Sequence, residues 1–494
     1  MKRTTGIFLL LAILLASCGT KTPSSETMET VSADTAANTV TEDLYLDDLP
    51  DDVNLNGESI RFLYRAEVSN EFYVDEITGE IVEDAVFESI TAVEERLNAK
   101  MAVTLMDGHY MSARQPYKDH ITNSIIAGDD QYEWVDMMSG SGAILQQEGV
   151  FMNLLNNPVL DFEKPYYIRD LVENLSVKNR LYFLSGDASL GYMRTAFCLY
   201  FNKETAENYN VEDLYTLVDS GAWTVDKAKE ISAQCIADLN GDGKYNLDDT
   251  LGFVVHDRTH MYGFMNSTYT HVYRRDAANE WEYTFGTEAD YDNMVRLNSL
   301  IFGTDGNYYY SGSNAVESEQ ATYNQITNKF ITGEIFMITA EMDDAVVSLR
   351  DMEANYGILP MPKSIETQDT YYSGSRSTHN IFAMPITTQK AENAAVFMEA
   401  LSAQKHTSTL PAYFEVALKN KYSRDDESSR MYDIIHDGMI LNFSYLYTSA
   451  LGIGTIFEDG VKKPDTFYST AASKQSSIEA KFNEYLEKIE DLSE

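Results

Sequence analysis

Basic residues are scarce in this chain. Lys and Arg number 37 against 78 Asp and Glu, so 37 − 78 leaves a net charge of −41 over 494 residues. Nucleic-acid binding needs a basic stripe to neutralise phosphates. No such run occurs in the mature chain, which excludes that role. Cysteine is rarer still, with three in all, too few for a disulfide-built scaffold. Long apolar runs are missing beyond the N-terminus, where nothing reaches the roughly 18 apolar residues of a spanning helix. There is no GxxxxGK[ST], no GxGxxG spacing and no GxSxG, HExxH or SxxK, so neither a nucleotide fold nor a hydrolase announces itself. His256 and His260 stand four apart without HExxH context, and Asp257 and Arg258 read as a surface loop around them. What is present is 44% apolar and 12% aromatic residues, too much for a disordered chain. The length is that of two lobes.

The N-terminus opens with Lys2 and Arg3, followed by an apolar Gly6–Ala16 too short to span a bilayer. This pattern is a secretory signal. It ends in Leu15-Ala16-Ser17-Cys18, which resembles the lipobox of bacterial lipoproteins. The expectation is a signal peptide over 1–17 and an acylated Cys18 anchoring the chain to the outer face of the cell membrane. Residues 18–57 are Ser/Thr-rich and then acidic, and read as a disordered tether. Cys198 lies in an apolar strand-like run and Cys235 in a helix-like one. Buried free thiols fit them better than a bridge, although an exported chain is able to pair them.

Order is expected from Ser59–Tyr64, an alternating strand. Ile81, Val82, Val86, Ile90, Val93 and Leu97 then recur at helical spacing. A strand at Ala102–Met106, a helix near 117–127 and a strand at Tyr132–Met138 follow. Strand-helix-strand-helix-strand predicts a parallel sheet covered by helices. Ser139-Gly140-Ser141-Gly142 reads as a turn at the C-terminal sheet edge, where open α/β sheets bind ligands, with a helix at Ala143–Glu148. A second strand-rich part begins at Arg194–Asn202 and continues with Leu251–Val255, Gly333–Thr339, Asn355–Met361 and Asn380–Pro385. Helices are expected at Val225–Ala237, Ala391–Ala403 and near 475–491.

Residues 238–249 read DLNGDGKYNLDD. Oxygen donors fall at the loop positions that hold a hard cation: Asp238, Asn240, Asp242, the Lys244 carbonyl, Asn246 and Asp249, with Gly243 at the sharp turn. Asp249 replaces the usual Glu and reaches less far. Dockerin-type loops carry the same Asp and still hold calcium. A single mid-chain loop fits a structural calcium site rather than a sensor, whose loops come in pairs.

The order of segments resembles family 1 extracellular solute-binding proteins, the lipoprotein receptors of bacterial ABC importers. The resemblance rests on the lipobox and on LYFNKET at 199–205, GAWTVD at 221–226 and DLNGDGKYNLDDTLGF at 238–253. FITGEIFM at 330–337 and YGILPMP at 356–362 complete it. It spans residues 60 to about 405. It implies an α/β, two-lobed periplasmic-binding-protein-like fold with a ligand cleft between lobes joined by crossing hinge strands. Lobe one would be 58–190 plus 378–430, and lobe two 191–377 plus 431–494. Two departures stand out. Ala340-Glu341-Met342-Asp343 occupies the place of a Gly-x-Trp that stacks on sugar, and extra sequence surrounds 257–315.

Candidate ligand contacts lie at predicted strand ends and crossovers. They are Arg65, Ser139, Ser141, Asp187, Tyr192, Glu341, Asp343, Ser373, Ser375 and Arg376. Carboxylates and Arg make paired hydrogen bonds to vicinal hydroxyls. Thirty-three tyrosines against three tryptophans suit sugars, which have apolar faces and many hydroxyls, and Tyr308-Tyr309-Tyr310 is a cluster for either the cleft rim or the core. The resemblance implies a receptor, not an enzyme, that captures a small solute, best a carbohydrate, and delivers it to ABC permease subunits. Peptides and polyamines stay open as ligands. The acidic charge disfavours anionic ones. A calcium-stabilised adhesin and a carbohydrate-active enzyme are the alternatives.

Overall fold

The computed structural model describes residues 46–310 and 319–492. Cys18 and the signal segment lie outside the described residues. The fold is built on two sheets. Strands β1 (Glu58–Arg65), β2 (Ala99–Met106) and β3 (Trp134–Met138) supply the first. Strands β4 (Phe197–Asn202) and β5 (Leu251–Val255) open the second. A small hairpin, β6 (Tyr273–Arg275) with β7 (Trp281–Tyr283), follows. Strands β8 (Asn307–Tyr309), β9 (Ile335–Glu341) and β10 (Tyr356–Pro360) complete the second sheet. β11 (Asn380–Ala383) returns to the first.

Sheet one has the order β11-β3-β1-β2, and sheet two β10-β4-β9-β5-β8. β1 is parallel to both neighbours, with Phe62 opposite Val103 on one side and Trp134 on the other. Helices Ile81–Leu97 and Met111–Ile126 make the crossovers. Strands covered on both faces read as continuous apolar runs rather than alternating ones. Ile60, Phe62, Leu63 and Tyr64 are all fully buried. Helix Ile81–Leu97 turns Val86, Ile90, Val93 and Leu97 inward. In sheet two, β9 is parallel to β5 and antiparallel to β4.

Two of the chain segments that pass between the lobes run antiparallel to each other. Leu184 and Phe382 exchange both backbone hydrogen bonds at 2.9 Å, and the Arg376 N–H donates to the Thr195 carbonyl at 2.9 Å. At the crossing, Arg65 at the end of β1 meets the Thr378 carbonyl, and Arg376 meets Asp257 just after β5 and Glu341 at the end of β9.

Several local expectations need correction. Residues 46–57 are not free tether. Asp47 pairs with Arg96 at 2.6 Å, and Leu55 is buried, with its N–H on the Leu97 carbonyl. The acidic composition hid these few apolar residues. Ser139–Gly142 is not a turn but the start of a helix, Ser139–Leu145. The glycines serve close approach: a Cβ on Gly142 would stand 2.3 Å from Ile381. The helix expected over 225–237 ends at Ser232, and Ala237 pairs with Thr250 instead. Helix Asp426–Asp437 contains the expected lobe boundary at 430, and its residue Ser428 accepts or donates to Tyr215 of lobe two at 2.8 Å. Cys198 and Cys235 are buried free thiols.

Candidate functional site: the junction between the lobes

Arg65 ends β1 and is 1% exposed. Its Nε meets Asp136 on β3 at 2.6 Å, and one terminal nitrogen donates to the Thr378 carbonyl at 3.0 Å. It braces lobe one against the crossing segment, and burial leaves it little to offer a ligand. Ser139 does the same through its hydroxyl, 3.0 Å from the Ser377 carbonyl. Ser141 is half-buried on the same helical turn.

Arg376, on the crossing segment, reaches into lobe two. It holds Asp257, just after β5, at 2.5 Å and Glu341, at the end of β9, at 3.0 Å. Its side chain keeps 23% exposure and that of Asp257 keeps 28%. Burial opposes ionisation of both acids, but Arg376 and His260 outweigh it and hold both carboxyls below their usual range. Asp343 pairs with Arg194 at 2.6 Å. Arg194 also donates to Asn70 of lobe one. Beside this pair lies a cavity of about 380 Å³ whose walls include Asn70, Glu80, Arg194, Asp343, Arg350 and Tyr413.

The remaining candidates divide differently. Tyr192 is buried with its ring edge-on to His379 at 5.1 Å, and its hydroxyl finds no partner among the described residues. Ser373 is fully buried and donates to the Phe197 carbonyl at 2.7 Å. The Ser375 hydroxyl lies 2.6 Å from that of Thr195. Both serines hold the crossing strands together. Asp187 stays apart from the junction, bound to His406 on helix Ala391–Thr407 at 2.6 Å. The Tyr308–Tyr310 cluster belongs to an edge strand, where Tyr309 and Tyr310 are buried and the Tyr309 hydroxyl donates to Glu458 at 2.9 Å.

Sequence reasoning missed several junction residues. His256 and His260 are buried, not on a surface loop; His256 stacks on Tyr323 with ring centres 4.0 Å apart. Tyr262 stacks on Tyr445 at 5.0 Å, and the Tyr445 hydroxyl accepts from the Ser377 N–H. Glu67 accepts from the N–H groups of Gly108 and His109 and fixes the loop after β2. Glu71 is buried where the crossing passes β1. Burial pushes it up to about 7, against the pull of Arg194 and Arg65. For Glu67 and His256 the position just beyond a strand end was a usable signal, whereas Tyr262, Tyr323 and Tyr445 lie in helices and had none.

The 238–249 loop is turned in on itself. Asp238 accepts from Gly241 and Gly243 at 2.7 and 2.8 Å, and Asn240, Asp242 and Asn246 each accept from an N–H two residues on. Asp249 is fully buried and accepts from Leu239 and Asn246. Gly243 has φ +75°, the left-handed turn that position needs. Among the described residues no group of three His, Cys, Asp or Glu side chains is arranged as a metal cage. The donor set is nonetheless all oxygen, which fits a hard cation.

Two α/β lobes joined by crossing strands are the fold of the ABC substrate-binding proteins. Solved structures carry the comparison. UspC of Mycobacterium tuberculosis has a TM-score of 0.56 at 12% identity, over 86% of this chain and 100% of that one. The galacto-N-biose/lacto-N-biose I-binding protein of a Bifidobacterium longum ABC transporter, in complex with lacto-N-biose, has 0.54 at 10%, over 87% and 98%. The ABC substrate-binding protein Lmo0181 of Listeria monocytogenes, in complex with cycloalternan, has 0.53 at 11%, over 86% and 99%. No family model and no curated protein matches the sequence.

Proposed function

We propose that this chain is a solute-binding receptor of an ABC importer and that its solute is a carbohydrate. The observation that carries the reading is the architecture: two α/β sheets joined by paired crossing strands, shared with proteins solved with bound saccharides. The junction chemistry supports it. Asp257, Glu341, Asp343 and Arg376 offer planar groups for paired hydrogen bonds to vicinal hydroxyls. Tyr262, half-buried at the junction, and Tyr110, 66% exposed after β2, offer flat apolar faces. They stand in for the tryptophan missing near Glu341. Capture and delivery without turnover is part of the proposal, and permease subunits are the partners it requires.

Two further parts rest on sequence. Acylation of Cys18 would tether the receptor to the outer membrane face. Calcium held by Asp238, Asn240, Asp242, the Lys244 carbonyl, Asn246 and Asp249 would neutralise three carboxylates and fix the turn that precedes β5. The receptor reading is tested by a thermal-shift screen of residues 19–494 against mono- and oligosaccharides, peptides and polyamines, with chromatography of the recovered ligand. A shift with one saccharide family and an intact ligand supports it. A shift only with peptides or amines removes the carbohydrate, and a cleaved ligand removes the receptor.

A further inference from the structure

The cavity beside Arg194 and Asp343 is built from elements of both sheets' layers. Helix Ile81–Leu97 and the π-helical stretch Ala412–Tyr422 supply part of its wall, and the turn that follows β9 supplies another part. π-Helical backbone is rare and is found most often at functional positions. Here Tyr413, Ala417 and Lys421, spaced four apart along it, all line the cavity. The charges in the wall are unevenly matched. Asp343 is satisfied, by Arg194 at 2.6 Å and by the Tyr413 hydroxyl at 3.3 Å. Glu80 is shared by two cations, Arg350 at 3.5 Å and Lys421 at 3.7 Å. Both distances exceed the roughly 2.7–2.9 Å of a close charge-assisted pair. Glu83 accepts from the Asn70 amide at 3.3 Å, and no cation lies within ion-pair distance of it among the described residues. Its place in the first turn of its helix gives it only part of a compensating charge. Apart from Asn70, the rest of the lining is apolar or aromatic. Val347 is 65% exposed and Ile81 43%, with Val82 and Val346 half-buried.

Two cations with one loosely held acid between them, a second acid without a cation and an apolar lining share about 380 Å³. That is the small end of the roughly 300–1,000 Å³ of small-molecule pockets. A neutral sugar would leave those charges as they are, whereas a small zwitterion with an apolar side chain answers both. We propose that this cavity is a second ligand site, separate from the Arg376–Asp257–Glu341 junction, and that it takes an apolar α-amino acid or a dipeptide of such residues. The ligand carboxylate pairs with Arg350 and Lys421, its ammonium pairs with Glu83, and its side chain lies on Ile81 and Val347. Because the wall draws on both sheets' layers, an occupant that touches helix Ile81–Leu97 and the turn after β9 together favours the arrangement in which they meet. None of these five residues belongs to the junction proposed for saccharide.

The test is calorimetric titration of residues 19–494 with leucine, valine, phenylalanine and Leu-Leu, each also as its N-acetyl and its amide form. At least one unblocked ligand is expected to bind, and blocking either end should weaken it about tenfold or more. In E83Q the unblocked and N-acetyl forms should bind about equally. In R350Q the gap between the unblocked and amide forms should narrow. Neither residue is buried, and thermal melting confirms that both variants fold. Saturating saccharide should leave amino-acid binding in place. Silence towards every amino acid and dipeptide at millimolar concentration overturns the inference and leaves the receptor reading intact. So do E83Q and R350Q proteins that bind the unblocked ligand as the wild type does. Competition between saccharide and amino acid also overturns it, since the cavity would then be part of the saccharide site. Amino-acid binding that responds to E83Q and R350Q, with silence towards every saccharide, supports this site and removes the carbohydrate from the receptor reading.

Discussion

Glu399 sits between two tyrosines. The hydroxyls of Tyr166 and Tyr167 both donate to its carboxylate, the second at 2.6 Å. Burial still pushes it up to about 7, because two neutral donors do not replace a full hydration shell. Between its unfolded value of about 4.3 and that folded value, the native state keeps a proton that the unfolded chain has released. Its contribution to stability therefore falls as pH rises through that window and is level above it. The size is about 4 kcal/mol at most. Glu71 acts in the same direction. Half-buried His109 and His271 and buried His379, held neutral with values pushed down to about 4, oppose it below pH 6.5. Subtraction removes them: the melting temperature of E399Q minus that of the wild type should rise by a few degrees from pH 5 to pH 8, and a constant difference would refute the account. Gly186 offers a second residue test. A Cβ there would stand 2.1 Å from the Tyr166 carbonyl, so G186A should cost roughly 1–3 kcal/mol in chemical denaturation, and a neutral substitution would show that the crossing segment yields. Positions past strand ends were legible in the sequence, which is how Arg65, Glu341 and Asp343 were singled out, and Arg376 was singled out as preceding the second crossover. Their partners were not. Nothing local announces that Asp136 takes Arg65, or that His406 takes Asp187 away from the junction, because each pair closes only through tertiary packing.

Among the elements, the parallel strands and their crossover helices were readable because apolar residues recur at regular spacing from Ile60 to Leu97. The segments that glycine seemed to punctuate were not. Gly140 and Gly142 mimic a turn in sequence yet admit Ser377 and Ile381 against a helix. The π-helical stretch Ala412–Tyr422 has no sequence pattern distinct from an ordinary helix. The 238–249 loop had a strong pattern, and its amides already draw in the oxygens of Asp238, Asn240 and Asp242. If calcium binds there, EDTA should lower the melting temperature by several degrees, calcium should restore it, and D249N should abolish the difference. An EDTA-insensitive wild type would mean that the loop's own hydrogen bonds suffice.

At the scale of the whole molecule, two lobes joined by paired strands allow hinge closure. Ligand should reduce the radius of gyration in solution scattering, whereas an unchanged radius on saturation would argue for a rigid cleft. The two-lobed plan was legible because segment order survives where identity does not; the structures that share the fold are 10–12% identical. Charge pairing at the junction was illegible, since a sum over 494 residues conceals which acid each arginine holds. The measurement that bears most directly on the central claim is a binding isotherm of residues 19–494 against the saccharide panel, with the ligand recovered and chromatographed afterwards. The account predicts one saccharide family bound at micromolar affinity or tighter and returned intact. A folded protein that binds no saccharide, or one that returns it cleaved, would contradict it.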